Sequence, residues 1–292
     1  MTVAGRSSSL NPSLVRPRVW LTALFIAALI VAGLALLQSR WAQVRLLMWR
    51  HGLTAGALAY GKAGEAPKLV SYGLRPDGVY KLASLSKPMT AAAVLELVRS
   101  GKLSLEDEVG GATIGQLLQH SGGWDRAVAG DPLCNADESL PKQFEPGSRY
   151  AYSNLGYCLL SRTNAERSGV SYERYVLSVL PQASGLRVGI PELAGAGGWI
   201  GTPSDYFAFA SRTLSPSVAI RPSYAMPGES YYGLGWRVWP DGVLSHFGLL
   251  PGSYSVVLRR GDHVIVGVFA GDPRDPEALT GELKGLLLRV RD

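Results

Sequence analysis

The segment KLASLSKPMTAAAVLELVRSGKLSLEDEV, residues 81–109, decides the fold of this chain. Residues 89–98 are apolar on almost every side, and Gly101 supplies a C-terminal stop, so the segment predicts a helix inside the protein. Ser84 and Lys87 lie at the mouth of this helix, one turn apart and on the same face. A serine hydroxyl becomes a good nucleophile only when a neighbour accepts its proton, and a lysine whose pKa is lowered by apolar surroundings can do so.

The ordinary alternative is that Ser84 caps the helix, which is a common role of serine, and that Lys87 is a first-turn lysine. The same Ser-x-x-Lys spacing recurs at Ser139 and Lys142. Pro141 interrupts that second pair, which therefore cannot form the same regular turn. The rest of the chain must decide whether the first pair is catalytic.

Two further motifs follow along the chain. Tyr-Ser-Asn occurs at residues 152–154, at a turn that leads into a helix, and His-Phe-Gly occurs at residues 246–248, just before a pair of predicted strands. Taken separately, each residue has an ordinary structural explanation: a half-buried aromatic, a helix cap and a hydrogen-bonded histidine. Their order after the Ser-x-x-Lys motif makes a recognisable set.

In this order the three motifs resemble the signature of the serine β-lactamase and D-Ala-D-Ala carboxypeptidase superfamily, in its class C-like branch. The flanking segments TIGQLLQHSGGW, PGSRYAYSNLGYCLL, GWIGTPSDYFAFA and YGLGWRV resemble that branch as well. The resemblance covers about residues 52–292. It implies a serine hydrolase that works through an acyl-enzyme and requires no metal or other cofactor.

The resemblance implies a role for each motif residue. Ser84 would be the acylated nucleophile, and Lys87 its proton acceptor or electrostatic activator. Tyr152 would be the partner base that passes the proton to the leaving group. Asn154 would orient the substrate amide and the lysine, and His246 would complete the proton network.

Substrate contacts are implied for Asn154, Gly248 and Leu249, with the backbone N–H groups of Ser84 and Leu249 forming an oxyanion hole. One residue departs from the pattern. Phe247 stands where many β-lactam-binding relatives carry Thr or Ser, whose hydroxyl contacts the substrate carboxylate. A phenyl ring cannot supply that hydrogen bond, so an esterase or amidase with a less charged acyl substrate is favoured over a penicillinase or a strict D-Ala-D-Ala carboxypeptidase.

The charge of the chain argues against a nucleic-acid partner. Six of its 29 lysines and arginines lie in residues 1–50, which contain no acidic residue, so the other 242 residues carry 23 side chains of each sign. A neutral body lacks the basic face that phosphate binding requires.

The N-terminal region predicts a membrane anchor. Residues 19–37 form a run without a charged residue, long enough to cross about 30 Å of hydrocarbon and longer than the apolar region of a typical signal peptide. We predict a basic tail at residues 1–18, a transmembrane helix at residues 19–39, a linker at residues 40–51 and a catalytic domain at residues 52–292. Arginines flank the apolar run equally on both sides, so orientation rests on the resemblance, which implies a single-pass protein whose catalytic domain lies outside the cytoplasm.

The chain contains two cysteines, Cys134 and Cys158. They can pair if the body lies outside the cytoplasm, although the sequence does not supply the geometry. With no histidine ligands beside them, a structural zinc site is not predicted.

The remaining segments predict an α+β fold. Residues 53–61 and 67–74 are readable as a β-hairpin, and residues 252–272 as two strands around a Gly-Asp turn at 261–262. Residues 105–190 consist mostly of helical pieces, and an amphipathic helix ends the chain. We therefore predict an antiparallel sheet flanked by helices with a mostly helical insertion, a β-lactamase/transpeptidase-like architecture.

The function predicted is a membrane-anchored serine hydrolase, a peptidase, amidase or esterase, acting on a small-molecule or peptide acyl substrate. The alternative is a penicillin-binding or sensing domain that is acylated but turns over poorly. The 18-residue tail is too short for a cytoplasmic signalling domain of the usual size, and this argues against a self-contained sensor. A third reading is an unrelated serine esterase of the α/β-hydrolase type, and the absence of a Gly-x-Ser-x-Gly elbow argues against it. The sequence does not indicate an oligomeric state.

Overall fold

A computed structural model of the chain describes residues 20–28, 40–130, 132–135, 140–212, 214, 216–224 and 230–287. Residues 20–28 are helical and precede the elements numbered below. The rest of the predicted transmembrane helix, and the predicted basic tail, lie outside the described residues. None of the helices in the described part of the chain has both the length and the apolar character needed to span a membrane.

The helices are α1 (Arg40–Arg50), α2 (Ser86–Arg99), α3 (Ile114–Leu118), α4 (Arg126–Ala129), α5 (Asn154–Ser168), α6 (Tyr172–Val179), α7 (Ala194–Gly197), α8 (Pro203–Ser211) and α9 (Pro276–Leu287). The strands are β1 (Ala55–Lys62), β2 (Lys68–Tyr72), β3 (Tyr80–Lys81), β4 (Glu108–Val109), β5 (Ala112–Thr113), β6 (Arg187–Val188), β7 (Trp199–Gly201), β8 (Tyr231–Tyr232), β9 (Arg237–Val238), β10 (Leu244–Leu250), β11 (Ser253–Arg260) and β12 (His263–Ala270).

The main sheet of the described residues has seven strands in the order β2-β1-β12-β11-β10-β9-β8, and its neighbouring strands pair antiparallel. The predicted hairpin of β1 and β2 is present, and so is the hairpin of β11 and β12. Gly261 adopts a φ of +57° in the second turn, a conformation that glycine reaches without steric cost. The predicted α+β class with an antiparallel sheet is confirmed.

Side chains alternate between the two faces of the sheet along each strand, and both faces are covered. On β12, Val264 and Val266 join the large apolar core, which also contains Phe207 of α8. Residues on the other face meet α9, where the Tyr254 hydroxyl lies 2.8 Å from Oγ1 of Thr280. The central strands are therefore buried on both sides.

The helical region is built around α2, which was predicted to be a buried helix. Met89, Ala93 and Val94 are fully buried, and α2 packs against α5, α6 and α7. Cys134 and Cys158 form a disulfide with a Cα–Cα distance of 4.9 Å, which joins the loop at residues 132–135 to α5. The sequence left this pairing open.

Candidate active site

Ser84 lies in a short 3-10 turn, Ala83–Leu85, that runs directly into α2. The N-cap of α2 is Leu85, so Ser84 does not have the ordinary capping role of serine. Ser86 holds the turn instead, since its hydroxyl donates to the carbonyl oxygen of Ala83 at 2.7 Å. Ser84 therefore stands half-buried in the wall of a cavity.

The residue before Ser84 has a strained backbone. Ala83 has a φ of +48°, in the left-handed region that costs an L-residue about 1–2 kcal/mol. Two backbone hydrogen bonds of 3.0 Å hold this conformation, from Leu82 to the carbonyl of Trp199 and from Leu85 to the carbonyl of Leu82. The surrounding structure thus fixes the direction in which the serine hydroxyl points.

Lys87 is fully buried in the site. Its Nζ atom lies 3.2 Å from Oγ of Ser84, 2.6 Å from Oδ1 of Asn154 and 2.6 Å from the carbonyl oxygen of Ala196. Asn154 begins α5 and Ala196 belongs to α7, so three separate helices fix the lysine head group. The sequence motifs pointed to Asn154, whereas no sequence pattern predicted the contact with the carbonyl of Ala196.

Tyr152 completes the contacts of the nucleophile. Its hydroxyl lies 2.8 Å from Oγ of Ser84, on the extended segment just before α5. Two cations lie over its ring, Nζ of Lys87 at 4.7 Å and Cζ of Arg126 at 5.1 Å from the centroid.

The heavy atoms around the nucleophile accommodate two arrangements of the same protons. In one, a neutral Lys87 donates to Asn154 and Ala196 and accepts from Ser84, which itself accepts from the phenol of Tyr152. In the other, a charged Lys87 donates to all three oxygens, and Ser84 donates to a phenolate. The serine proton therefore has an acceptor on either side.

His246 lines the same cavity as Ser84, but its ring is held by other groups. Nδ1 lies 2.8 Å from the carbonyl oxygen of Phe247, and Nε2 lies 2.8 Å from the hydroxyl of Tyr232. Because a carbonyl oxygen only accepts, Nδ1 carries the proton and Nε2 accepts from the tyrosine. Burial, and then the charge of Lys87, lower the pKa of His246 to about 3. The imidazole is therefore neutral.

Gly248 allows β10 to approach the turn that holds the nucleophile. A Cβ atom at this position would lie 2.6 Å from the carbonyl oxygen of Leu82 and 2.8 Å from Cβ of Ala83. A residue with a side chain would therefore push the strand and the turn apart. The absence of a side chain at Gly248 thus permits the close contact between β10 and the turn that carries Ser84.

The register of β10 sets the direction of the N–H group of Leu249. Leu250 and Ser253 flank the two-residue turn between β10 and β11, and hydrogen-bonded pairs alternate with non-bonded pairs from that point. Leu249 therefore directs its N–H away from β11. On the side of β10 opposite β11, the described pairing with β9 extends only from Leu244 to Ser245, so it does not reach Leu249. The turn that carries Ser84 packs against β10.

The cavity at Ser84 has a volume of about 400 Å³. Its lining consists of Ser84, Arg126, Tyr150, Tyr152, Tyr232, Arg237, Ser245, His246, Phe247, Leu249 and Glu277. Phe247 is half-buried, with its ring stacked on Tyr254 at a centroid distance of 6.1 Å. The charged lining residues are two arginines and a glutamate, of which Arg237 and Glu277 form an ion pair.

The motif residues are thus brought into one place. Ser84, Lys87, Tyr152 and Asn154 form a continuous hydrogen-bonded set, with His246 and Leu249 in the same cavity wall. Sequence reasoning missed His120 and Tyr232, although both lie in the quoted segments TIGQLLQHSGGW and YGLGWRV. Across the described residues, no cluster of three or more His, Cys, Asp or Glu residues is arranged to hold a metal ion.

Comparison with known proteins gives consistent matches. The Beta-lactamase family matches residues 31–180. Penicillin-binding protein 4* of Bacillus subtilis (strain 168) is 34% identical over 129 residues, which cover 35% of this chain and 28% of that protein. Esterase EstB of Burkholderia gladioli is 26% identical over 260 residues, which cover 75% of this chain and 62% of the esterase. The chain spans less than two thirds of the length of both relatives.

The fold also matches solved structures. The octameric penicillin-binding protein homologue from Pyrococcus abyssi superimposes with a TM-score of 0.70 at 19% identity, over 85% of this chain and 76% of that one. This similarity concerns the fold, whereas the family match spans just over half of the chain and includes the Ser-x-x-Lys and Tyr-x-Asn motifs. The chain therefore belongs to the beta-lactamase family, within the serine β-lactamase and penicillin-binding-protein superfamily that its motifs resemble.

Proposed function

We propose that this chain is a serine hydrolase that acts through an acyl-enzyme on Ser84. The observation that carries the proposal is the position of Oγ of Ser84, 2.8 Å from the hydroxyl of Tyr152 and 3.2 Å from Nζ of Lys87. A nucleophile within hydrogen-bond reach of a base, with that base held by a third group, is the arrangement that nucleophilic catalysis requires. Asn154 is that third group, since it holds the lysine.

Acylation proceeds in two steps at this geometry. Oγ of Ser84 attacks the substrate carbonyl carbon while its proton passes to the phenolate of Tyr152 or to neutral Lys87. The tetrahedral intermediate then collapses, and the bond to the leaving alcohol or amine breaks as that group takes the proton from Tyr152. Water attacks the acyl-enzyme by the reverse sequence, releasing the acid and restoring the serine.

The negative charge that develops on the carbonyl oxygen in the tetrahedral intermediate must be stabilised by hydrogen-bond donors. The N–H of Leu249 points away from β11, on the side where β10 meets the turn that carries Ser84. The N–H of Ser84 belongs to the first turn of a helical segment, where backbone donors have no intrahelical partner. We assign these two groups to the oxyanion hole, where each donor contributes about 3–4 kcal/mol.

An ester or an amide with a less charged acyl group is the substrate class that the cavity favours. Phe247 lines the cavity and has no hydroxyl with which to bind a substrate carboxylate. The similarity to an esterase over 75% of this chain is in keeping with this substrate class. A peptide substrate remains compatible with the same acyl-transfer chemistry.

A slowly deacylating penicillin-binding domain is the second candidate. Both ring nitrogens of His246 are engaged, with Phe247 and Tyr232. The groups that activate the serine must therefore also activate the deacylating water. Because Lys87 and Tyr152 must then serve as bases in both acylation and deacylation, deacylation can be slow and the acyl-enzyme can accumulate.

We further propose that residues 19–39 anchor the chain in a membrane, with the catalytic domain outside the cytoplasm. The support is the charge-free run of residues 19–37 and the disulfide between Cys134 and Cys158, since disulfides persist in oxidising compartments. Alkaline carbonate extraction of expressing membranes tests the anchor. Protease digestion of intact spheroplasts tests the side, and a domain protected from protease would contradict the proposal.

Covalent labelling tests the proposed function. The full-length chain in detergent is incubated with a fluorophosphonate and, separately, with a penicillin, and intact mass is followed over time. Ser84→Ala should abolish both adducts, whereas Ser139→Ala, the matched control with the same Ser-x-x-Lys spacing, should leave them intact.

The outcomes separate the candidates. Labelling by the fluorophosphonate alone favours an esterase or amidase. A penicillin adduct that persists for hours favours the slowly deacylating domain. Absence of both adducts in a folded protein would refute the acyl-enzyme mechanism.

A further inference from the structure

His120 contacts the backbone on both sides of Tyr152. Its carbonyl oxygen accepts the N–H of Ala151 at 2.8 Å, and its Nδ1 atom accepts the N–H of Ser153 at 3.2 Å. The two hydrogen bonds bracket the tyrosine, one residue before it and one after. His120 thus holds the chain on both sides of the residue that contacts Ser84, while the carbonyl oxygen of Tyr152 itself accepts the N–H of Arg126 at 3.2 Å.

The ring of His120 supports the tyrosine ring as well. The centroids of His120 and Tyr152 are 4.3 Å apart with an interplanar angle of 32°. The rings of Tyr157 and Tyr232 lie against the histidine at 5.1 and 4.5 Å. Only 2% of His120 is exposed, so the imidazole is a fixed part of the site.

The protonation state of His120 follows from its partners. A backbone N–H only donates, so Nδ1 must be unprotonated and the proton must be on Nε2. Burial, followed by the charge of Lys87, holds the pKa of His120 well below its ordinary value. The ring is therefore neutral, as an acceptor at Nδ1 requires.

The backbone of His120 is unusual too. Its φ is +56°, in the left-handed region that histidine and asparagine enter more readily than most residues. This conformation brings the carbonyl oxygen and the ring of one residue onto the same short segment. The histidine therefore occupies a position at which few other side chains are tolerated.

We propose that His120 is a positioning residue that holds the hydroxyl of Tyr152 against Ser84. Tyr152 lies on an extended segment, and its neighbour Ser153 has φ −142° and ψ 129°, so no helical hydrogen bonds fix it. A misplacement of about 1 Å in a reacting group can cost about 10²-fold in rate. The inference rests on the proposed function, because it assumes that Tyr152 exchanges a proton with the serine.

Two substitutions that both tolerate the left-handed backbone test the inference. His120→Asn keeps an acceptor on the atom bonded to Cγ, the covalent position of Nδ1, whereas His120→Gly removes it. The rate of serine labelling by a fluorophosphonate and the kcat and KM for a p-nitrophenyl ester are measured on the full chain, with thermal unfolding to verify folding. His263→Asn, at the start of β12, is the matched control.

We expect His120→Gly to lower the labelling rate and kcat by about 10²-fold with KM nearly unchanged. His120→Asn should recover at least about tenfold of that loss, and His263→Asn should behave as the parent chain. If the glycine variant does not fold, His120→Gln replaces it, since its amide is one atom too far to reproduce Nδ1, and it should be as slow.

If His120→Asn is as slow as His120→Gly, or as slow as His120→Gln where that variant replaces it, the positioning role is overturned. Rates near that of the parent chain in both variants would overturn it as well. A parent chain that shows neither labelling nor ester hydrolysis would instead overturn the proposed function. The two failures are thus distinguishable.

Discussion

The hydroxyl of Tyr232 donates to Nε2 of His246 at 2.8 Å, and both residues are buried beside the catalytic cavity. The opposite nitrogen of the imidazole is held by the carbonyl of Phe247 at 2.8 Å. The carbonyl of Phe247 therefore fixes the tautomer of the third-motif histidine, and a tyrosine from a different strand donates to its other nitrogen. The imidazole is therefore a neutral group of fixed orientation in the wall of the cavity.

Removing the Tyr232 hydroxyl should destabilise the fold. In Tyr232→Phe, Nε2 of His246 is left without its donor in a buried place, which costs about 1–3 kcal/mol. Tyr231→Phe is the matched control, because its hydroxyl bonds an exposed carbonyl of Ala219, and it should cost less. Urea unfolding of both variants measures the difference, and equal losses would contradict the assigned hydrogen bond.

Stability should fall when the pH is lowered through the histidine range. The pKa values of His246 and His120 both lie below the ordinary 6.5 in the folded chain. As the pH falls through about 6.5 the unfolded chain therefore binds more protons than the folded chain, and the free energy of unfolding falls with the pH, by up to about 1.4 kcal/mol per pH unit and group. Above about pH 7.5 these two groups contribute little pH dependence.

Urea unfolding between pH 8 and about pH 5 checks this expectation, since that window lies above the range in which most carboxylates titrate. His246→Asn should give a shallower slope, because Asn does not titrate. A free energy of unfolding that rises as the pH is lowered, or a slope against pH that is the same in the variant as in the parent chain, would contradict the buried neutral imidazole.

Gly248 should not tolerate a methyl group. In Gly248→Ala the new Cβ would lie 2.6 Å from the carbonyl oxygen of Leu82, so β10 and the turn that carries Ser84 must separate. We expect this to cost about 1–3 kcal/mol of stability and to change kcat more than KM. Gly281 on α9 offers the matched control, because its Cβ would meet nothing within 4 Å. Gly281→Ala should stabilise by about 0.5–1 kcal/mol, with activity unchanged. A Gly248→Ala chain with full activity would show that the close approach is not needed.

The disulfide should contribute substantially to stability. Cys134 and Cys158 are separated by 24 residues, for which loop-closure entropy gives about 3 kcal/mol. The double variant Cys134→Ser, Cys158→Ser should unfold at correspondingly lower urea, and a reductant should reproduce the shift in the parent chain but not in the variant. An unshifted midpoint in both experiments would argue that the covalent link constrains little.

Local patterns sufficed to predict much of this fold. The buried helix that begins at Ser86 and the hairpin around Gly261 follow from apolar runs and turn residues in a few consecutive positions. The resemblance carried by the motifs pointed to Ser84, Lys87, Tyr152 and Asn154, which the structure brings into contact. These residues lie at or just before the starts of α2 and α5, where short sequence patterns carry structural information.

The supporting contacts could not be predicted in the same way. His120 and Tyr232 are ordinary residue types whose importance lies in partners such as Ser153 and His246, which other elements bring near. The Ala196 carbonyl that binds Lys87 has no side-chain signal at all. Such contacts depend on tertiary packing, which a single sequence does not display.

The two proton arrangements around Ser84 have a consequence for how the nucleophile is prepared. They have the same heavy-atom positions and the same total charge, and they differ by one proton carried from Tyr152 to Lys87 across the serine. Switching between them by proton transfer requires no heavy atom of the three side chains to leave its position. The resting site can thus keep the serine hydroxyl intact while holding an activated form within a proton's shift, available whenever a carbonyl group arrives.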